Sequence, residues 1–450
     1  MTAHKHLKAL VRARMKKTGE RYAAARRQIL LARSVDGGPA PALPPRDASV
    51  EWHFAGVIPA ATALRVLLAH AGVRNPATDE PFDEAMAFGI AGGIGIGIFQ
   101  FFYEQQDFAS FFIGGRHLWH DDELYLRNAL AAMQIKPVVE ESTTARAAEK
   151  QLRQFLSRGP CVAWVDAASL PHRGMPPWMA GSTYHLVTVY REDDDDGVLI
   201  GDMTDNPVRL AMSDLTAARV RIKKHKCRLL QIDPRTDAGA KPDLKALVSS
   251  GLRRCREVLL KPVMKMAPAN FKLDALRDWA ERIDATRGKD AWARVFPPGK
   301  HLWTALTSVH DFIENYGTGG GLCRPVFAES LETSAQLLKD QRLASLARRY
   351  RKLGAAWSAL ADAALPPDVP IFARARELLD ARSELLTAEP DGQATSATWT
   401  ELDALKQQVG KAFPLSDDGC RALRQDLRDL VLALHSGETE ALDALASVTG

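Results

Sequence analysis

At 450 residues the chain is too long for one core and suits two or three domains. Hydrophobic residues make up 46% and charged residues 25%, with a net charge of +4; this is ordinary for a globular protein and argues against a dedicated nucleic-acid binder. The five cysteines are odd in number and far apart, with no C-x-x-C pair, so neither a disulfide framework nor a zinc site is expected and a reducing cytoplasm fits.

Residues 1–34 are strongly basic, with Glu20 as the single acid. Leu7, Leu10 and Val11 fit one helix, Thr18-Gly19-Glu20 breaks it, and Tyr22 to Leu31 begins another. No third helix follows to complete a helix-turn-helix, so a solvated or partner-docking arm is expected here rather than a DNA reader. The arm lacks the apolar segment of a secretory signal; its composition also allows an organellar transit peptide, though without the usual serine enrichment. Residues 35–49, with Gly-Gly-Pro-Ala-Pro-Ala-Leu-Pro-Pro, read as a stiff linker.

From 50 to 235 the pattern is mixed. Helices are expected at Ala60–Ala71, Asp83–Phe88, Asp121–Met133 and Thr144–Arg158. Between the second and third lies a glycine-rich run from Phe88 to Phe99. It follows a helix and has no Lys-Ser/Thr after it, so close backbone packing under a cleft is expected in preference to a phosphate loop. The run is apolar but too short and too broken to span a membrane. Gly114-Gly115-Arg116 reads as a turn, Cys161–Asp166 as a buried strand, and Leu170–Gly181 as a proline-rich loop. Tyr184–Tyr190 and Gly197–Asp202 read as two strands joined by an acidic turn. Folding back at that turn brings His185, at the start of one strand, to Asp202, at the end of the other. A carboxylate beside an imidazole fixes its tautomer and orients it as a base, although a strand-edge histidine can also merely satisfy backbone. Helices followed by strands give an α+β layout.

From 240 to 450 the periodicity is helical throughout, over Asp243–Leu260, Asn270–Arg287, Leu302–Asn315, Val326–Ala363, Ile371–Leu386 and Ala397–Leu445, the last broken near Pro414. One irregular stretch, Tyr316–Arg324, carries Gly319, Gly320 and Arg324. It is either an anion clamp at a helix start, suited to a phosphopantetheine, or a helix C-cap with a turn.

Helix Ala63–Leu68, the Phe88-Gly89 glycine run, Gly115-Arg116, Val165-Asp166 with Leu170-Pro171, then His185 and Gly201-Asp202, resembles the N-terminal domain family of butirosin biosynthesis protein H. The helical half, with Gly317–Gly321, Arg324 and Trp357, is similar to the domain that often follows it. Together they cover roughly residues 50–365. The resemblance implies a papain-like α+β domain and then an all-α domain. It also implies acyl transfer from a carrier-protein thioester to an amine, with His185 and Asp202 at the family's His and Asp. The family usually has His-Cys before the first helix, the Cys being the nucleophile. Here Ile58-Pro59 stand in that place, Cys161 reads as strand core, and Cys227 lies in a basic strand at the domain's end. Thr62, about one turn on, is either a weak hydroxyl nucleophile or a capping residue.

A thioester is already activated, so a positioned amine needs a base and oxyanion donors rather than a covalent intermediate. Two functions stay open. One is acyl or aminoacyl transfer with His185 as general base, no bound cofactor, an acyl or peptidyl carrier protein as donor and a small-molecule amine as acceptor. The other is a catalytically inactive papain-like fold that binds a carrier, peptide or protein. Either suits a basic arm meeting an acidic partner. Gly92, Gly93 and Arg116 are expected in the cleft wall, and Asp166 either at substrate or bonded to its own strand end. The histidines at 53, 70, 117, 120 and 172 share no metal-binding spacing.

Overall fold

The computed structural model describes residues 3–18, 25, 26, 28, 29, 52–233, 235, 242–265, 267–387 and 390–449; the linker expected at 35–49 lies outside them. Eight strands occur among these: β1 (Ile94–Tyr103), β2 (Phe108–Arg116), β3 (Pro137–Glu140), β4 (Cys161–Asp166), β5 (Tyr184–Asp193), β6 (Gly197–Gly201), β7 (Val208–Ala211) and β8 (Leu229–Ile232). β1 and β2 form an antiparallel hairpin, and the other six form one antiparallel sheet in the order β3-β8-β4-β5-β6-β7. From Leu244 onward the regular elements described are all helical, so the α+β class followed by helices is what the chain adopts.

The chain divides into two compact units that each gather several stretches. The first is Met1–Ala87, Leu126–Leu247 and Arg382–Trp399, and the second Phe88–Tyr125, Val248–Ala381 and Thr400–Gly450. The hairpin segment expected with the first domain thus belongs to the second unit.

In the first unit, helices Ala145–Leu156 and Met212–Arg221 cover one face of the six-stranded sheet. Leu152, Phe155, Leu215 and Ala218 pack there on Val187, Val189 and Ile200. Against β5 and β6, Val66 and Ala69 of the Pro59–His70 helix join Phe54, Tyr190 and Leu199. β4 is buried at all six positions, which is why its sequence is a continuous apolar run with no alternation. The hairpin of β5 and β6 pairs Thr188 with Gly201 and Asp193 with Gly197, around a bulge between Val189 and Arg191. The basic arm departs from the solvated reading. Val11 and Ala25 are buried with Met15 and Ile29 against them, and buried Arg26 ion-pairs with Asp205, next to the loop that bears Asp202.

In the second unit the glycine-rich run ends the Glu84–Ile90 helix, turns through Gly92 and Gly93 and enters β1 at Ile94, and Gly114-Gly115-Arg116 closes β2 instead of forming a turn. The reason is Trp119. Gly97 pairs with Gly114, and a Cβ on either would lie 2.5 Å from the indole, so the glycines make room for a flat ring on the hairpin. The single helix expected over Val326–Ala363 is two, Arg324–Leu338 and Gln341–Ala364. Lys339 takes φ 54° to end the first, and Asp340 accepts the Arg342 amide to start the second. No helix among the described residues is long and apolar enough to cross a membrane.

Candidate functional site

The strand ends meet as the hairpin requires. His185 Nε2 lies 2.6 Å from Asp202 Oδ1, and both side chains are buried, His185 at 9% exposure and Asp202 at 2%. They are not alone. A short 3-10 turn, Pro171–Arg173, brings two more donors to the same carboxylate. Arg173 grips it in bidentate fashion, Nε to Oδ2 at 2.8 Å and Nη2 to Oδ1 at 2.7 Å. His172 Nε2 donates to Oδ2 at 2.7 Å.

The charge states follow. Burial opposes ionisation of Asp202, but Arg173 and the two imidazoles overcome it and hold the carboxyl well below the usual range. An ionised carboxylate only accepts, so His185 and His172 each carry a proton on Nε2. His185 then keeps a lone pair on Nδ1, for which no hydrogen-bond partner occurs among the described residues. Arg173 Nη2 also lies 2.8 Å from His185 Nε2, a contact that would need Nε2 to accept; the shorter 2.6 Å approach to an ionised, acceptor-only carboxylate outweighs it and sets Nε2 as the protonated nitrogen. Burial and then the Arg173 charge push the His185 pKa down, against the opposing pull of Asp202. The result is a neutral imidazole in a fixed tautomer, which is the state a general base needs.

The position before the first helix is as the sequence implies. Pro59 is the first helical residue, and Glu84 Oε1 accepts the Val57 and Ile58 amides at 2.8 Å each. Thr62 Oγ1 lies 2.9 Å from the same oxygen and 3.0 Å from Ile58 O. It is a packing and capping hydroxyl. Gly56 lacks a side chain because a Cβ there would fall 1.8 Å from Thr62 Oγ1. No thiol substitutes: all five cysteines are buried, and burial raises the Cys161 pKa to about 12. Beside Asp202, with Pro59, Thr62, Thr188 and Tyr190 among its walls, is a cavity of about 10 Å³, room for one water. Its far wall is tied down by His53, whose Nε2 donates to Thr204 O at 2.9 Å while Nδ1 accepts from Tyr190 Oη at 2.8 Å.

The remaining expected site residues lie elsewhere or are already engaged. Asp166 is fully buried and bonded to its strand end, Oδ1 to the Thr183 hydroxyl at 2.6 Å and Oδ2 to Ser169 Oγ at 2.6 Å. The other six fall in the second unit. Gly92 and Gly93 adopt φ of 116° and 60°, and side chains there would strike the His117 and Phe327 rings. Arg116 pairs with Asp122 and stacks over Tyr125, 4.4 Å from its centroid. Gly319 and Gly320 turn the chain with φ of 69° and 84°. Arg324 is fully buried; its Nε donates to Glu438 Oε1 at 2.7 Å and its Nη1 to Leu322 O at 2.8 Å. The expected anion clamp is therefore an internal ion pair, because a buried guanidinium needs a carboxylate and finds one within its own unit. Among the described residues no cluster of three or more His, Cys, Asp or Glu is placed to hold a metal.

Sequence reasoning missed His172 and Arg173. They sit in a loop without periodicity, and only their adjacency after Pro171 could have flagged them. Comparison with known families matches residues 59–203 to butirosin biosynthesis protein H, N-terminal, and residues 213–385 to a domain of unknown function (DUF4872). No curated protein matches the chain.

Proposed function

We propose, for a chain whose residues 59–203 match the butirosin biosynthesis protein H N-terminal family, that it transfers an acyl or aminoacyl group from a carrier-protein thioester to an amine in a biosynthetic pathway. The observation that carries this is the neutral His185 ring, held by Asp202 through Nε2 with Nδ1 left as a base. The amine attacks the thioester carbonyl and gives its proton to His185 Nδ1. The C–S bond then breaks, and the thiolate takes that proton back from the imidazolium. No covalent enzyme intermediate is needed, since the thioester supplies the activation, and orienting both reactants is worth on the order of 7–11 kcal/mol in good cases. The protein uses no bound cofactor of its own; the reactive arm is the phosphopantetheine of an acyl or peptidyl carrier, and the acceptor is a small amine. A papain-like ancestry that lost its cysteine fits Pro59 and accounts for the surviving His and Asp.

A second reading draws on the cavity. At about 10 Å³ beside Asp202 it admits a water and neither substrate, so a carrier-, peptide- or protein-binding module without catalysis also fits. Mass spectrometry with acyl-carrier thioesters and candidate amines separates the two. Transfer predicts an amide product, no adduct on the protein, and a loss of 10²-fold or more in His185→Ala, in line with the usual worth of a general base. Tight carrier binding with no product above the uncatalysed rate establishes the binding module and ends the transferase reading.

A further inference from the structure

We infer that His172 and Arg173 are positioning residues for the His185 base, presented by the Pro171–Gly174 turn and held there by a backbone contact with Gly392. Nothing in either family match assigns these roles, and Gly392 lies beyond both matched stretches, which end at 203 and 385.

The geometry is that of one carboxylate shared by three side chains. Asp202 Oδ2 takes His172 Nε2 at 2.7 Å and Arg173 Nε at 2.8 Å, while Oδ1 takes Arg173 Nη2 at 2.7 Å and His185 Nε2 at 2.6 Å. A carboxylate has about four lone-pair directions, so this set saturates it and allows one orientation of its plane. With either turn residue gone, the carboxylate is free to rotate about its last bond, and the His185 ring loses a fixed partner. His172 serves only this purpose by its Nε2. Its side chain is 8% exposed, and its Nδ1 is buried without a hydrogen-bond partner. The charged and titratable groups acting on His185 are Arg173, Asp202 and His172, all of this same cluster.

The turn itself is seated from far along the chain. Gly174 follows Arg173 with φ 52°, and a Cβ there would lie 1.9 Å from Gly392 O. In the other direction, a Cβ on Gly392 would lie 2.3 Å from Pro171 O. Two glycines thus let backbone touch backbone, and both belong to the first unit. Gly392 is itself fixed, because it opens the Gly392–Lys411 helix and Asp391 Oδ1 caps that helix through the Gln393 and Ala394 amides at 3.0 Å. A side chain at 392 therefore displaces the turn and, through it, both donors.

The catalytic part of this inference rests on the acyl-transfer reading, so the test has a readout that does not. In full-length protein with isotope-labelled histidine, NMR follows the His185 ring through a pH titration, its signals assigned by their loss in His185→Gln. Arg173→Met should raise the His185 pKa, and Arg173→Lys should reverse part of that rise. His172→Leu should broaden or move the ring signals, whereas His172→Gln, which keeps a donor near the Nε2 position, should not. Gly392→Ala, which removes no polar group, should move them too and keeps the test decisive if Arg173→Met fails to fold. In transfer assays the same variants should lower kcat about tenfold or more, leave KM within twofold, and shift the acidic limb of the pH profile with the NMR value. Shifts in the NMR titration without any transfer by the wild type would keep the positioning roles and end the transferase reading. An unchanged His185 titration in Gly392→Ala and His172→Leu would overturn the inference.

Discussion

Asp202 answers to four donor atoms with two oxygens, so its removal costs more than one hydrogen bond. Asp202→Asn puts an amide nitrogen against one of those donors and leaves the Arg173 charge uncompensated where it is 7% exposed. Breaking a buried pair in this way costs about 3–5 kcal/mol, which urea unfolding would register as a lower midpoint with unchanged slope. The pH dependence carries a definite sign. His185 and His117 both have folded pKa values below the ordinary 6.5, His185 by burial and then Arg173, and His117, at about 3, by burial and then Arg116 and Arg254. The unfolded chain therefore binds protons first. Their contribution is fully present above 6.5 and drains as pH falls from there, for His117 down to about 3, at up to roughly 1.4 kcal/mol per pH unit for each ring. Asp202 is depressed likewise, so its share persists above 3.8 and is lost only as pH drops through its lower folded value. A His117→Phe protein should show a flatter loss of stability between pH 6.5 and 4 than the wild type. At this scale His185 and Asp202 were readable, because strand ends and a turn fix where they go. Arg324 was not, since its partner Glu438 lies 114 residues away and no local pattern announces it.

The elements the sequence disclosed are those whose burial is uniform or strictly periodic. β4 declared itself by an unbroken apolar run, and the long helices by their repeat. β3 and β8, at four residues each, are too short for alternation to emerge. β1 was hidden for a different reason: glycine has low strand propensity, and its presence there serves Trp119. That trade is testable. Val at Gly97 or Gly114 raises local β propensity, yet its branched side chain must enter the space of the indole. Overpacking should outweigh propensity and cost about 1–3 kcal/mol. Paired thermal unfolding of Gly97→Val and a control Val substitution at half-buried Ser110 of β2 would show it, with a red shift of tryptophan emission in the first only. Stabilisation by Gly97→Val would mean that the indole does not claim that space.

At the scale of the whole chain, each compact unit is assembled from segments far apart in sequence, and neither family match follows the division. Residues 59–203 include Phe88–Tyr125 of the second unit, and residues 213–385 begin in the first unit and continue through the second. Composition places a boundary near 235–240, where strands give way to helices, but contacts do not respect it, because the glycine-rich hairpin takes its core from later residues. Phe111, 1% exposed, packs on Trp279 and Trp292 with centroids 5.1 and 5.2 Å away. Cutting the chain at Leu247 therefore strands this apolar surface and also removes Gly392 from beneath the Pro171–Gly174 turn. Such a fragment contains the whole six-stranded sheet and both members of the dyad, and on a bead-on-a-string view it should fold. The expectation from these contacts is the reverse: a loosely packed species that binds a hydrophobic dye, retains far-UV but loses near-UV circular dichroism, and unfolds without a sharp transition. A cooperative unfolding curve with a native His185 titration in residues 1–247 would show that the later segments are dispensable to the site.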